Sequence, residues 1–311
     1  MSTAEVTVIV VSYGGADLLR TCLQSIPRQV SSGEVEVIVV DNASPDGTPD
    51  MVAEEFPWVT LIRSRSNDGF AAGNNQGLQA SEGRAILLLN PDAELVPGAL
   101  ETCLRYLRDH EDVPIVAPKI LNPDGSLQYS LRNFPTASNT VFEAMLLHRA
   151  LPQATPRWAE TIIDAEFYRD ERHIEWASGA AFVARAEAFD AVGPLDERFF
   201  LFSEETDWFF RASRQGLVSV YLPSMVVIHR SSAGRNPALM RYAVESRLLY
   251  ARKNLAPFSA AIVRVVLGLG MAARLLAWAV LSLTGSAGAG TRSKAYRVGL
   301  VAVLGHRAGR G

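Results

Sequence analysis

The stretch Ala85-Ile-Leu-Leu-Leu-Asn-Pro-Asp-Ala-Glu-Leu95 joins a run of apolar residues to a short polar cluster. An apolar run of this length, from Ala85 to Leu89, is typical of a strand that is buried on both faces of a sheet. Proline cannot continue a central strand, so the strand is expected to end before Pro91. Asn90, Asp92 and Glu94 then lie at its carboxyl end, where open α/β sheets bind their ligands. A carboxylate there suits a divalent cation and, through it, a diphosphate, although turn formation alone explains Asn-Pro-Asp equally well.

The first third of the chain alternates between apolar, β-branched runs and patterns with helical spacing. Strands are expected at Val6–Val11, Val35–Val40 and Val59–Ile62, and helices at Ala16–Ile26, at Pro49–Phe56 and from a glycine-rich loop, Asn67–Asn75, to Ala80. This βαβαβ order predicts a mostly parallel sheet with helices on its faces. Because parallel strands end at the same edge, Ser12, Asp41 and Asp92 are expected together there.

The following part of the chain, up to about residue 230, is less regular, most of all between residues 119 and 175. Its pattern predicts helices at 98–110, Ala186–Val192 and Phe209–Gln215, a turn at Asn122–Gly125, and strands at Ile115–Ala117, Trp176–Val183, Val218–Leu222 and Val226–Ile228.

Three acids, Glu204, Glu205 and Asp207, occur within four residues of the chain. Many aromatic residues surround them in the sequence, namely Phe199, Phe200, Phe202, Trp208, Phe209 and Phe210. An apolar environment raises the pKa of a carboxyl group, which suits a general base that works near neutral pH. The alternative is a helix N-terminus capped by Ser203, where acids favour the helix dipole. The number of aromatic neighbours favours the functional interpretation.

Three further residues carry a functional and a structural interpretation side by side. His229, at the end of the last predicted strand, is interpreted either as a cation ligand or phosphate contact, or as a structural histidine. Trp176 and Gly179 are interpreted as lining a sugar-sized pocket, and core packing explains Trp176 equally well.

Composition and charge divide the chain into two parts. Its 311 residues include only two cysteines, Cys22 and Cys103, which argues against a disulfide scaffold or a zinc site and favours a reducing compartment. The N-terminal residues lack a basic region, so no signal peptide is expected. Residues 1–245 contain all 33 Asp and Glu with 20 Lys and Arg, whereas residues 246–311 contain 10 Lys and Arg and no acid. This acid-free basic tail indicates an anionic partner.

The tail contains a largely apolar segment, Ala260–Leu283, interrupted by Arg264 and Arg274. The apolar stretches beside Arg274 are shorter than the roughly 20 residues that span a bilayer. We therefore expect helices that lie in the membrane interface, with their arginines, and others such as Arg307 and Arg310, at anionic head groups. The alternative is a helical hairpin that packs on the body or forms a homodimer interface. The tail is too apolar, and too poor in aromatic residues, for nucleic acid.

Seven motifs resemble, in chain order, those of family 2 glycosyltransferases of the GT-A fold, and in particular the bacterial rhamnosyltransferase-like branch. They are Val8–Tyr13, Val37–Ser44, Asn67–Asn75, Leu87–Glu94, Leu121–Ser126, Trp176–Ala180 and Asp196–Asp207. The resemblance implies a Rossmann-like GT-A domain over residues 1–255 and a basic, apolar helical tail over 256–311. Residues 1–118 would bind the nucleotide sugar, and residues 119–255 would bind the acceptor and carry catalysis.

The resemblance also implies an inverting transfer from a dTDP- or UDP-sugar to a glycan or lipid-linked acceptor, assisted by Mg²⁺ or Mn²⁺. Asp92 and His229 would hold the metal, and Glu205 would be the base, with Glu204 and Asp207 as alternatives. The family's other binding residues fall on Ser12, Tyr13, Asp41, Asn42, Asn67, Gly69, Asn74 and Asn90. The implied localisation is the cytoplasmic face of the cell membrane, and the implied role is in cell-surface polysaccharide synthesis.

Two other classes of protein compete with this interpretation. A nucleotidyltransferase has a similar sheet but normally a basic glycine-rich loop after the first strand, whereas Ser12–Gly15 contains no Lys or Arg. An inactive, membrane-associated sugar-nucleotide binder would have no need of the acids at 204–207.

Overall fold

The computed structural model describes residues 4–26, 35–230, 237, 239–283 and 288–305. The chain forms two compact units. The sheet unit comprises Met1–Arg132, Asp164–Phe200 and Glu204–Ser231, and the helical unit comprises Asn133–Ile163, Leu201–Ser203 and Ser232–Gly311. The helical unit thus groups residues 133–163 with the chain from residue 232 onward, and the functional domains expected at 1–255 and 256–311 stay predictions.

The described strands, in chain order, are β1 (Val6–Ser12), β2 (Val35–Asp41), β3 (Thr60–Arg63), β4 (Ala85–Leu89), β5 (Ala93–Leu95), β6 (Ile115–Leu121), β7 (Leu131–Arg132), β8 (Arg172–Ile174), β9 (Trp176–Ala177), β10 (Ala181–Arg185) and β11 (Ser219–His229). The described α-helices are α1 (Ala16–Ser25), α2 (Thr48–Glu55), α3 (Phe70–Ala80), α4 (Ala99–Asp109), α5 (Ala137–Ala144), α6 (Leu147–Ala150), α7 (Thr155–Trp158), α8 (Ala186–Val192), α9 (Glu204–Arg214), α10 (Leu239–Asn254), α11 (Pro257–Leu283) and α12 (Ala289–Gly305). Short 3₁₀ helices lie at Pro152–Ala154 and Ala165–Tyr168.

One mixed sheet organises the sheet unit, with strand order β3-β2-β1-β4-β10-β6-β11-β5 and β8 paired to β11. Strands β3, β2, β1 and β4 are parallel, whereas β10 runs antiparallel to both β4 and β6. The register pairs Ser12 with Asp41 and Val10 with Leu89, so β1, β2 and β4 end at one edge as predicted. The α/β fold class with a mostly parallel central sheet is confirmed.

Burial on both faces explains why the central strands read as continuous apolar runs. All residues of β1 and of β4 are buried. Alternate residues such as Val8 and Leu87 pack on one face in a core with residues of α1, α2 and α4. On the other face, Val11 and Ile38 pack with neighbours that include Phe70 of α3. Helices therefore cover both faces of the sheet, so a side chain of these strands is shielded from water on either face.

Helix α3 lies unusually close to β1 because glycine forms its contact face. A Cβ at Gly77 would lie 2.5 Å from Ile9 Cγ2, and one at Gly73 would lie 2.6 Å from Val11 Cγ1. Non-bonded carbon atoms prefer about 3.5–4.0 Å. The helix therefore needs glycine at these positions to rest on the strand.

Three predicted elements of the sheet unit need correction. Trp176–Val183 is not one strand: Trp176–Ala177 pairs with β7 in a separate two-stranded sheet, and Ala181–Arg185 joins the main sheet. The helix predicted at Phe209–Gln215 begins at Glu204, so the acidic cluster forms its first turn. The two strands predicted at 218–228 are one strand, β11, with an irregular register between Leu222 and Val226. In the two strand corrections, the apolar pattern gives no sign of a change that only the pairing reveals, and in the helix the acids hide the first turn because they interrupt the apolar pattern.

The helical unit packs α10, α11 and α12 together and places α11 against α5. Its small core contains Val244 and Leu248 of α10 with Ala302 and Val303 of α12. Helix α11 is long and apolar enough to cross a membrane by length and composition, and its most apolar window is not buried. Most of its exposed large apolar side chains form a stripe at helical spacing, namely Phe258, Val265, Leu269, Leu276, Val280 and Leu283, whereas the exposed Leu281 lies beside that stripe. Arg307 and Arg310 lie outside the described residues.

Replacing Gly77 with alanine is expected to lower the free energy of unfolding by about 1–2 kcal/mol. Overpacking against Ile9, which is fully buried, outweighs the higher helix propensity of alanine. Urea denaturation measures the change. The matched control is Gly290→Ala, also at a helical glycine, where a Cβ meets nothing within 4 Å and stability should be unchanged or slightly higher. A Gly77→Ala protein as stable as the wild type would contradict the close packing.

Candidate active site

The ends of β1 and β2 form the first part of the candidate site. Ser12 is fully buried, and its carbonyl accepts a hydrogen bond from the Asn42 backbone N–H at 2.8 Å. Asp41 is also buried; its Oδ2 accepts from the Ser44 N–H at 3.1 Å, while Oδ1 receives no hydrogen bond from the residues that the structure describes. Asn42 Oδ1 is likewise buried and has no partner among those residues. These two buried oxygens are hydrogen-bond acceptors, and the N–H groups of a nucleobase could donate to them.

The glycine-rich loop is fixed beside these residues. Asn42 Nδ2 donates to Asn67 Oδ1 at 3.1 Å and to the Gly69 carbonyl at 2.9 Å. Gly69 has φ of +95°, and a Cβ there would lie 2.3 Å from the Phe200 carbonyl oxygen, so only glycine fits. Asn67 and Gly69 therefore lie with Asp41 and Asn42 at the same edge.

Two other predicted nucleotide-binding residues have different surroundings. Tyr13 is 58% exposed, so its ring is accessible to a ligand. Asn74 is buried in α3, and its side chain donates to the Phe70 carbonyl at 2.9 Å, one helical turn away. This bond favours a structural role for Asn74.

Asp92 and His229 meet at the end of β4. The sheet register sets His229 opposite Ala93, and the Asp92 carbonyl accepts from the Arg230 N–H at 3.0 Å. His229 Nε2 lies 3.1 Å from Asp92 Oδ1 and 3.5 Å from Asn90 Nδ2. Glu94, in contrast, accepts from the Arg230 guanidinium at 2.7 Å and 2.9 Å. Asn90, Asp92 and His229 therefore lie together, whereas Glu94 forms an ion pair with Arg230.

These three side chains fit a divalent cation. His229 Nδ1 lies 2.7 Å from Gln128 Oε1, which can only accept, so Nδ1 carries the proton. His229 Nε2 then lies beside the Asp92 carboxylate. A positive charge at this place, either a proton on Nε2 or a divalent cation, allows the two groups to lie 3.1 Å apart. Carboxylate, amide oxygen and imidazole form a donor set that Mn²⁺ accepts and Mg²⁺ tolerates.

Glu204 and Glu205 form a second, acidic part of the site. Glu205 Oε1 accepts a hydrogen bond from the Gly179 N–H at 3.0 Å. The remaining oxygens, Glu204 Oε2 and Glu205 Oε2, are buried and receive no hydrogen bond from the described protein. Ser203, the expected cap, has φ of +65° rather than the extended backbone of most N-caps. The acids of this helix start are thus not explained by capping.

The two carboxyl groups differ in how firmly they hold a proton. Burial raises the pKa of Glu204 well above its ordinary value, and the charge of Glu205 raises it further. Burial also raises the pKa of Glu205, but the Gly179 N–H and the charge of Arg132 oppose that shift. The pair therefore shares a raised proton affinity, and the interactions that favour an ionised carboxylate are more numerous at Glu205.

Asp207 and Trp176 have surroundings that favour structural roles. Asp207 is fully buried and accepts from Arg211 Nε at 3.0 Å, while the same guanidinium donates to the Val192 and Pro194 carbonyls. Trp176 is 5% exposed, and the Arg132 guanidinium lies 5.5 Å above its ring. Among the three acids, Glu205 has the geometry best suited to a base.

The connection between β9 and β10 joins the two parts of the site. The Asn90 N–H donates to the Ala180 carbonyl at 2.9 Å, and the neighbouring residue, Gly179, donates to Glu205. One of these two adjacent residues thus contacts the segment that carries Asp92, and the other contacts the carboxylate of Glu205. The acids from two distant parts of the chain lie at one edge of the sheet.

Sequence patterns gave no sign of several residues around this site. Arg132 acts on Glu205 by its charge, and Gln128 contacts His229. Asn75 donates to the Leu195 carbonyl and accepts from its N–H, both at 2.9 Å, which ties α3 to the segment before α9. Only Asn75 lay within a motif, and each of the contacts just described joins residues that are distant along the chain.

The comparisons with known proteins identify the family of the chain. The model of Glycosyl transferase family 2 matches residues 7–191. The N-acetylglucosaminyl-diphospho-decaprenol L-rhamnosyltransferase of Mycobacterium tuberculosis is 30% identical over 251 residues, which cover 76% of this chain and 80% of the relative. The rhamnosyltransferase WbbL of Escherichia coli is 23% identical over 233 residues, 72% of this chain and 83% of the relative.

A solved structure supports the fold. The mannosyltransferase PcManGT from Pyrobaculum calidifontis, in complex with GDP-Man and Mn²⁺, aligns with a TM-score of 0.58 at 18% identity, over 96% of this chain and 86% of that chain. At this identity the likeness shows a common fold and no more. Together with the family match over most of the sheet unit, it leads to one conclusion: the chain is a glycosyltransferase that belongs to family 2 and to its rhamnosyltransferase-like branch.

Proposed function

We propose that the protein is an inverting glycosyltransferase that moves a sugar, with rhamnose as the leading candidate, from a nucleotide-diphosphate sugar to a hydroxyl of a glycan or lipid-linked acceptor. The observation that carries the proposal is the convergence of Asp92 and Glu205 at one sheet edge through Ala180 and Gly179. The names of the mycobacterial and Escherichia coli relatives support rhamnose as the transferred sugar, and the mycobacterial name supports a lipid-linked acceptor. A dTDP- or UDP-sugar donor and a role in cell-surface polysaccharide synthesis belong to the same proposal.

The donor is proposed to lie along the edge formed by β1, β2 and β4. The unpartnered oxygens of Asp41 and Asn42 would receive the N–H groups of the base, with Tyr13 and Ser12 beside them. Asn67 and Gly69 shape the loop, and Asn74 supports it from within α3. Asp92, Asn90 and His229 would hold Mg²⁺ or Mn²⁺. The ion supplies Lewis-acid stabilisation of the negative charge on the diphosphate as it leaves.

Glu205 is proposed to act as the general base in a single displacement. Its carboxylate removes the proton of the acceptor hydroxyl as that oxygen forms a bond to the anomeric carbon, and the bond from that carbon to the diphosphate breaks on the opposite side. The anomeric configuration is thereby inverted. The Gly179 N–H orients the carboxylate, and Glu204, which stays protonated, adds no second negative charge beside it.

The tail is proposed to hold residues 1–255 at the inner face of the cell membrane, where a lipid-linked acceptor lies. Soluble proteins seldom expose a contiguous apolar surface such as the α11 stripe. The opposite side of α11 packs on α10 and α12, and its arginines, Arg264 and Arg274, favour an interfacial position over a spanning one. A homodimer through the same stripe is the competing use of this surface.

Replacing Glu205 with glutamine should reduce turnover by about 10²–10⁴-fold and leave nucleotide-sugar binding unchanged, because the amide cannot accept the proton. Radiolabelled sugar transfer measures turnover, and a donor-induced thermal shift measures binding. The matched control is Glu204→Gln, which should keep most activity because the amide resembles the protonated acid. Loss of activity in Glu204→Gln alone would move the base to Glu204, and full activity in both variants would move it to Asp207. A wild type that binds the donor without any transfer would favour an inactive sugar-nucleotide binder.

The raised pKa values predict two pH effects of opposite direction. Glu205 must be ionised to act, so kcat/KM should fall with acid at a pH above the ordinary glutamate pKa. A carboxyl group with a raised pKa in the folded state stabilises the fold below its unfolded pKa, and this contribution is lost as pH rises through the folded value. Glu204→Gln should therefore gain stability over the wild type at alkaline pH. An acid limb at or below the ordinary pKa would contradict the assignment.

Mn²⁺ is expected to stabilise the protein against unfolding, by about 3 kcal/mol at a hundredfold excess over its dissociation constant. Asp92→Asn should lose most of this effect, since it removes the charge that holds the ion. Glu94→Gln, two residues away, should keep it, because Glu94 is paired with Arg230. Calorimetric unfolding with and without Mn²⁺ makes the comparison. Full stabilisation of Asp92→Asn would show that the metal binds elsewhere.

The wild-type protein should sediment with vesicles that contain anionic phospholipid. Leu269→Glu combined with Leu276→Glu should reduce the bound fraction at least about tenfold, because two exposed apolar side chains lose their burial in the interface. Trp58→Glu, at an exposed aromatic residue outside the tail, is the control for added charge. Unchanged sedimentation of the double variant, with a change in oligomeric state instead, would favour the dimer.

A further inference from the structure

Gln128 makes a set of hydrogen bonds that the proposed reaction does not use. Its Oε1 lies 2.7 Å from His229 Nδ1, and its Nε2 donates to Asn122 Oδ1 at 2.8 Å and to the His229 carbonyl at 3.3 Å. One amide thus contacts both the ring and the backbone of the same histidine. The contact spans 101 residues of the chain and lies next to the proposed cation site.

The orientation of this amide is fixed by its partners. A backbone carbonyl can only accept, so the atom that faces the His229 carbonyl must be the NH₂ group of Gln128. The amide oxygen then faces the ring and requires a proton on Nδ1. In the neutral ring, Nε2 is left as the unprotonated nitrogen, and it lies 3.1 Å from Asp92 Oδ1.

The backbone holds Gln128 where this contact is made. The chain reverses at Asn122–Gly125, where the Gly125 N–H donates to the Asn122 carbonyl at 2.9 Å. The Gln128 N–H then donates to the Ile120 carbonyl at 2.9 Å, beside the end of β6. Since β6 pairs with β11 up to Leu121 and Ile228, this return sets Gln128 against His229. The turn therefore has a use beyond reversing the chain.

We propose that Gln128, held by the Asn122–Gly125 turn, is a positioning residue that keeps His229 in the Nδ1–H tautomer and directs Nε2 into the cation site. The inference rests on the proposed metal-binding role of Asp92 and His229. A hydrogen bond from the distal nitrogen of a ligating histidine fixes its ring and its tautomer, and its loss typically weakens metal binding by about 10–100-fold.

The first test concerns metal affinity of the intact chain. Mn²⁺ alone is titrated into wild type, Gln128→Met and Gln128→Glu, with free Mn²⁺ measured by its electron paramagnetic resonance signal. Methionine has a similar length but no strong acceptor, so affinity should fall about 10–100-fold. Glutamate still accepts from Nδ1–H, so affinity should be kept or increased. Unchanged affinity in Gln128→Met, or equal losses in both variants, would overturn the proposal.

The second test separates this inference from the proposed function, because it needs no metal. Nitrogen-15 NMR of the metal-free wild type at pH 8, with His229→Gln to assign the signal, reports which ring nitrogen carries the proton. We expect the Nδ1–H form in the wild type and in Gln128→Glu, and a shift towards Nε2–H in Gln128→Met. An Nε2–H ring in the wild type would overturn the positioning role even if Mn²⁺ binds. The expected tautomer without Mn²⁺ binding would place the failure in the metal assignment, and the inference would fall with it.

Discussion

Two backbone hydrogen bonds hold the candidate site together: one from the Asn90 N–H to the Ala180 carbonyl, the other from the Gly179 N–H to Glu205. Both bonds involve adjacent residues that directly precede β10. This strand pairs with the parallel strand β4 but runs antiparallel to it. A backbone donor or acceptor buried without a partner costs about 1–3 kcal/mol, so neither bond is easily given up. The position of the base relative to the proposed metal ligands therefore follows from the pairing of the sheet.

The electrostatics of the site depend on this arrangement. When two carboxyl groups are buried side by side, burial and mutual repulsion make it unfavourable to ionise both. The different surroundings of the two groups then give them different proton affinities. Gly179, Arg132 and N–H groups at the start of α9 favour the ionised form of Glu205, whereas for Glu204 only a backbone hydrogen bond opposes burial and the charge of Glu205. At the other part of the site, His229 Nε2 lies 3.1 Å from Asp92 Oδ1, a contact that a proton or a cation stabilises. One part is thus arranged to receive a proton, and the other to receive positive charge.

Much of the sheet was predictable, because burial on both faces leaves continuous apolar runs that local pattern detects. β4 and α8 were predicted with their observed bounds, and the common edge of Ser12 and Asp41 followed from parallel pairing. The break at Ser178–Ala180 was not predictable, since the apolar pattern is unchanged where the strand changes partners. Gln128 and Arg132 were missed for a similar reason, because their contacts join distant parts of the chain. Polar residues in such irregular segments also show no helical or strand periodicity from which a role could be predicted.

The most direct measurement is the anomalous scattering of Mn²⁺ in crystals grown with a nucleoside diphosphate. The account predicts one strong peak at coordination distance, about 2 Å, from Asp92 and His229, with the diphosphate beside it and the Glu205 carboxylate facing the same cavity. A peak bound by other residues, or a Glu205 carboxylate that opens to a different face of the sheet, would contradict the account.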